Sequence, residues 1–278
     1  MRWAGGRSST NVVDARGRGM GVPIVGGGLG MAVLALVVYL LGGDPSVITD
    51  SVPQQPAAEA PAQTGAPDEG SQFIRLVLAD TEDTWNKVFK DEFGRDYPEP
   101  EVVLFTGAIQ SACGFAQAAM GPFYCPRDRR VYIDLAFYQE LRDRFHAPGD
   151  LAQAYVIAHE IGHHVQTVTG IAGQVGEAQS RAGRAQANAL SVSQELQADC
   201  YAGLWAHHAD RFRNRLEPGE VQEALTAAAA IGDDRIQRAT RGQVVPESFT
   251  HGTSEQRMTW FRRGYDAGDI DACDTYGG

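Results

Sequence analysis

Positive charge is scarce in this 278-residue chain, where 24 Lys and Arg face 35 Asp and Glu for a formal net charge of -11. Nucleic-acid recognition needs Lys and Arg clustered on one face, and no cluster occurs beyond the first residues, so a nucleic-acid partner is excluded. Internal repeats are missing, which sets aside a solenoid or propeller. No small-residue cleavage site of the Ala-x-Ala kind occurs near 42–46, which argues against a cleaved signal peptide. Charge of either sign is absent from 22–41 (VPIVGGGLGMAVLALVVYLL), a run of 20 residues. That is about the length needed to cross a hydrocarbon core of roughly 30 Å as a helix.

Four arginines, Arg2, Arg7, Arg16 and Arg18, precede that run against the single acid Asp14. The positive-inside tendency therefore predicts a cytoplasmic basic N-terminus at 1–21, a transmembrane helix at 22–41 and an extracytoplasmic remainder. The expected location is the cell membrane, with a single pass. Residues 42–70 are rich in Pro and Ala with few large apolar side chains, so they read as a flexible linker. Only four cysteines are present, Cys113, Cys125, Cys200 and Cys273. The even count fits two disulfides in an oxidising compartment, and three pairings are possible. The turn-prone Gly121 and Pro122 between Cys113 and Cys125 favour that pair, which leaves Cys200 with Cys273.

The remaining residues, 71–278, carry the folded domain. Apolar residues from Phe73 to Phe89 follow helical spacing up to Gly94, whereas EVVLFTG (101–107), FYC (123–125) and RVYIDL (130–135) read as strands. After Pro148 and Gly149 a helical run, LAQAYVIAHEIGHHVQTVTG, has Asp150 as a candidate N-cap and Gly170 as its stop. Further helical patterns cover 176–209 and 218–240. The expected fold class is α+β: one mainly helical domain with a small antiparallel sheet, preceded by one transmembrane helix.

Within the helical run, His159-Glu160-Ile161-Gly162-His163 forms an H-E-x-x-H pattern. On a helix, His159 and His163 stand one above the other and can reach one tetrahedral metal, a zinc ion, while Glu160 beside them suits a general base acting on metal-bound water. A catalytic zinc needs a third protein ligand. Glu195 and Asp199, four apart on the next helix, supply Glu195 as that ligand and Asp199 as the acceptor for the outer nitrogen of a ligand histidine, His159. His164 points about 100° away around the helix and reads as structural. His251, in a loop before a helix capped by Thr253 or Ser254, is a candidate donor to a developing oxyanion, with Tyr155 and Tyr201 as alternatives.

Taken together, HEIGHHVQTVTG, LSVSQELQADCYAG and SFTHGTSEQR, with CPRDRRVYIDLAFYQEL upstream, resemble the bacterial putative neutral zinc metallopeptidases across 71–275. The resemblance implies a zincin-like fold with one zinc ion per chain on His159, His163 and Glu195, Glu160 as base and Asp199 in support. It also implies a peptide or protein substrate added as a strand along a sheet edge, with 120–125 and 131–135 as candidates. The activity expected is peptide-bond hydrolysis. Two rivals remain open at this point: a noncatalytic envelope protein with a structural zinc site, and a zinc amidase acting on peptidoglycan.

Overall fold

The computed structural model describes residues 1–3, 5–17 and 68–276. Met1–Ala15 and Gly65–Gly278 form one unit, and a second, Arg16–Thr64, falls almost wholly outside the described residues. The expected membrane helix at 22–41 and most of the linker at 42–70 lie outside them as well. Among the described residues no helix is long and apolar enough to cross a membrane.

Helix α1 (Glu69–Phe93) starts where the Asp68 side chain accepts from the Ser71 amide at 2.8 Å, and it stops at Gly94 in the left-handed conformation. Residues 69 and 70, assigned to the linker by composition, are therefore its first turn. After the short α2 (Ala136–Asp143), helix α3 (Asp150–Thr169) runs through the core, with Leu151, Ala154, Ile157, Ile161 and Val165 fully buried. Its N-cap is Gly149 and not Asp150, which instead places its carboxylate in the first turn, where the helix dipole favours it. Gly170 ends the helix as the sequence indicates.

The patterns at 176–209 and 218–240 are each two helices, α4 (Ile171–Arg181) with α5 (Arg184–Arg211), and α6 (Glu220–Ala230) with α7 (Asp233–Arg241). Periodicity runs on through the breaks because Gly183 and Gly232 interrupt the backbone and not the apolar pattern. The last helix, α8 (Ser254–Ala267), opens with a capping box between Thr253 and Gln256.

Two close approaches hold this layer together. A Cβ at Gly162 would lie 3.0 Å from the Ala198 backbone, so α3 and α5 cross in near backbone contact. A Cβ at Gly264 would lie 1.9 Å from the Cys200 carbonyl, so α8 packs as tightly on the other side of α5. Both preferred disulfides are formed, Cys113–Cys125 and Cys200–Cys273, and the second ties α5 to the chain's end.

Strands β1 (Val12–Asp14), β2 (Glu101–Phe105), β5 (Phe123–Cys125) and β6 (Arg130–Asp134) form a sheet in the order β1-β2-β6-β5. A separate hairpin pairs β3 (Ala108–Ser111) with β4 (Gly114–Gln117). The main sheet corrects the antiparallel expectation. β1, β2 and β6 are parallel, and only β5 runs against its neighbour. The connection at 106–129 is long enough to hold a hairpin and β5 before the chain re-enters beside β2 in the same direction.

The domain boundaries change as well. Composition groups residues 1–15 with the basic N-terminus at 1–21, whereas in the structure they pack with the domain and contribute β1 to its sheet. A three-residue strand carries too little periodicity to be seen in sequence.

Candidate metal centre

Helix α3 presents His159 and His163 one turn apart, and α5 brings Glu195 against them across the Gly162 crossing. His159 Nε2 lies 3.2 Å from Glu195 Oε2, and His163 Nε2 lies 3.4 Å from Glu195 Oε1. One ligand atom from each of the three fits within 4.8 Å of the others. A tetrahedral ion with bonds of about 2.0–2.1 Å spaces its donors about 3.3 Å apart, so this donor set fits zinc in both chemistry and size.

The outer nitrogens of both histidines are fixed. His159 Nδ1 lies 2.8 Å from Asp199 Oδ1, and His163 Nδ1 lies 2.9 Å from Gln166 Oε1. Gln166 is oriented in turn, donating to the Gln194 carbonyl at 2.7 Å and to Gln197 Oε1 at 3.1 Å. Asp199 is fully buried and held by its other partners: Tyr155 donates its hydroxyl, and Arg257 donates Nε at 2.8 Å and Nη2 at 3.0 Å. A carboxylate gripped at both oxygens in this way keeps its orientation, so it fixes the ring of His159.

The charges follow from these contacts. Burial disfavours an imidazolium at His159, but the Asp199 carboxylate outweighs it and raises the group to about 10 without metal. At Glu195 burial acts upward, yet His163 and His159 outweigh it and hold the carboxyl well below its usual range. Burial raises Glu160, opposed by the two histidines and by the Tyr124 backbone amide, and its carboxyl stays above the ordinary value.

Glu160 and the three ligand candidates line one open cavity of about 520 Å³ together with His251, Tyr155 and Arg257. Phe137, Phe145, Val156 and Ile231 give its lining an apolar part, and Met120 to Tyr124, which include the start of β5, line it as well. That resolves the two edge candidates. Among the described residues β5 has a partner strand on one side alone, whereas β6 at 130–134 lies between β2 and β5 and cannot accept a substrate strand.

His251 is held by Asp233, the first residue of α7. Asp233 Oδ2 accepts from the amides of Thr250, His251 and Gly252 at 2.7, 2.6 and 3.2 Å, and Oδ1 lies 3.3 Å from His251 Nδ1. The hydrogen bond to Asp233 raises His251 above its ordinary value. Of the two alternatives to His251, Tyr155 reaches the site through Asp199. Tyr201 does not, being packed edge-on to Trp85 in the core. His164 is structural as expected, fully buried between the Tyr124 hydroxyl and the Pro98 carbonyl.

Sequence reading missed Arg257, Asp233 and Gln166. Arg257 stands six residues after His251 in the SFTHGTSEQR segment, and Gln166 stands three after His163, so each was adjacent to a recognised motif. Gln166 acts on its own helix at i+3 from His163, whereas the roles of Arg257 and Asp233 come from contacts across the fold that spacing does not reveal.

No solved structure matches the chain. It is 46% identical over 286 residues to the uncharacterized protein YpfJ of Escherichia coli K12, covering 100% of this chain and 99% of that one. It is 41% identical over 225 residues to the uncharacterized protein Rv2575 of Mycobacterium tuberculosis H37Rv, covering 77% of this chain and 74% of that one. A sequence model of the family described as "putative neutral zinc metallopeptidase" matches residues 1–276, and the chain belongs to that family.

Proposed function

We propose that this protein hydrolyses peptide bonds as a zinc metallopeptidase, with zinc held by His159, His163 and Glu195. The observation that carries the reading is the placement of Glu160. It sits in the wall of an open cavity beside the three ligand candidates, where a structural metal site would need neither an added carboxylate nor access for a substrate. Bound there, zinc would polarise the scissile carbonyl and acidify the attacking water.

The chain's own groups do the rest. Glu160 takes the proton from the attacking water and passes it to the leaving amine, a role its raised affinity for protons suits. His251, whose protonated form the hydrogen bond to Asp233 favours, donates to the carbonyl oxygen as that atom gains charge. Asp199 and Gln166 hold the ligand rings in place. A substrate backbone extends the sheet along β5, and a large apolar side chain next to the scissile bond fits between Phe137, Phe145 and Val156. The two disulfides support action outside the cytoplasm. Attachment to a membrane through 22–41 rests on the sequence run.

The test is cleavage of a quenched peptide library by the full zinc-loaded chain in detergent, beside Glu160→Gln at equal zinc content. The expected loss is about 10²- to 10⁴-fold. Equal cleavage by both proteins removes Glu160 as base, and no cleavage by the zinc-loaded wild type removes the peptidase reading.

A further inference from the structure

The segment before the apolar run at 22–41 and the segment after it meet in one sheet. β1 pairs with β2 in parallel, Val12 opposite Val102 through Asp14 opposite Leu104. The Val102 amide donates to the Asn11 carbonyl and the Ala15 amide to the Leu104 carbonyl, both at 2.8 Å. Val12 is buried with the main core, and the Trp3 ring stands edge-on to Phe73 of α1 at 5.9 Å.

The decisive residue is Glu82 of α1, 1% exposed. Its partners all come from the N-terminal segment: Ser9 Oγ at 2.6 Å, Asn11 Nδ2 at 2.9 Å and Arg7 Nη2 at 2.7 Å. Arg75 of the same helix donates to the Ser9 and Val12 carbonyls at 3.2 and 3.1 Å. A buried carboxylate is tolerated where it is paired and hydrogen-bonded, and α1 contributes none of the partners here. The surface of α1 is therefore built to be covered by residues 7–11. The family match also includes this segment, since it spans residues 1–276.

We propose that residues 1–15 are a permanent strand and strap of the metallopeptidase domain and share with the active site one side of the membrane. A single crossing by 22–41 would put β1 and β2 on opposite sides, so it excludes this pairing. The charge argument for a cytoplasmic N-terminus weakens for the same reason. Two of its four arginines are committed to the domain: Arg7 to Glu82 and Asp83, and Arg2 to Asn214. An arginine that is an ion-pair partner within the fold does not act as a free determinant of orientation.

All four cysteines are in disulfides, so an introduced cysteine is the sole free thiol. Thr10→Cys on the strap and Ala239→Cys on α7, both at exposed positions, are made separately in the full chain. Each is labelled in wall-stripped cells with a membrane-impermeant maleimide, before and after lysis. The expected result is the same labelled fraction for both before lysis, a ratio near one. Equal protection before lysis with equal labelling after it keeps both on one side and places that side in the cytoplasm. Labelling of one position before lysis and of the other only afterwards overturns the proposal.

Docking itself is read on purified protein. Val12→Cys, buried in β1, should label at least about tenfold more slowly than Thr10→Cys. Equal rates would show that the strap is not docked.

Discussion

The two edges of the main sheet are finished in opposite ways. At one, β1 completes the sheet with the chain's own N-terminal residues, tied to α1 by hydrogen bonds and ion pairs around the buried Glu82. At the other, β5 runs along the cavity that holds Glu160 and the candidate metal ligands, with no strand on its outer side among the described residues. An unpaired edge is a liability that proteins cover unless something uses it. Covering one edge gives it a part in stability, and the proposed peptidase reading uses the other, open beside a candidate base, for substrate. Changes at the β1 edge should then alter stability and leave turnover per folded molecule intact, and changes around the β5 edge should do the reverse.

The largest effect that could break this contrast is loss of the strap. A chain starting at residue 68 loses the burial of Val12, worth about 1.5–3 kcal/mol, together with the β1–β2 hydrogen bonds and every contact of residues 7–11 with Glu82 and Arg75. Denaturant unfolding should show that loss. Undiminished stability after truncation would mean the β1 edge is an accessory and the contrast false. Next comes His251→Gln near the other edge, expected to lower kcat by about 10²- to 10³-fold with zinc content unchanged and the unfolding midpoint lowered far less than by truncation. A fall in stability equal to that of the truncated chain would show that His251 supports the fold and not the reaction.

The same contrast explains what was legible in the sequence. The ligand and support pairs that lie on one helix could be read, because periodicity ties spacing to facing: His159 with His163, and Glu195 with Asp199. The capping box of α8 and both disulfides were readable from local chemistry, at Thr253 with Gln256 and from Gly121 and Pro122. What could not be read joins segments far apart. Arg257 reaches Asp199 only because Gly264 lets α8 press against α5, and Asp233 meets His251 across a loop. β1 was hidden twice, by its length and by Arg7, whose partners Glu82 and Asp83 are about 75 residues away. Charge was read as a topology signal where the structure uses it as glue.

The smallest effect concerns pH and separates the two parts played by Asp233. As a hydrogen-bond partner it raises His251, so the imidazolium that donates to the developing oxyanion persists to higher pH than a free histidine would allow. The alkaline limb of the kcat/KM profile in the zinc-loaded enzyme should therefore move to lower pH in Asp233→Asn, with the maximal rate less affected than in His251→Gln. Stability follows the same pair with opposite signs at its two ends. Asp233 is held below its ordinary value, against burial, by His251 and the loop amides, so its contribution is present above the usual carboxylate range and is lost as pH falls through the lowered value. His251 is raised, so its contribution is present below the ordinary histidine value and is lost as pH rises through the raised one. The pair thus supports the loop most between those two limits. Asp233→Asn should flatten the pH dependence of stability across that window, and an unchanged alkaline limb in the same variant would mean that His251 does its work without Asp233.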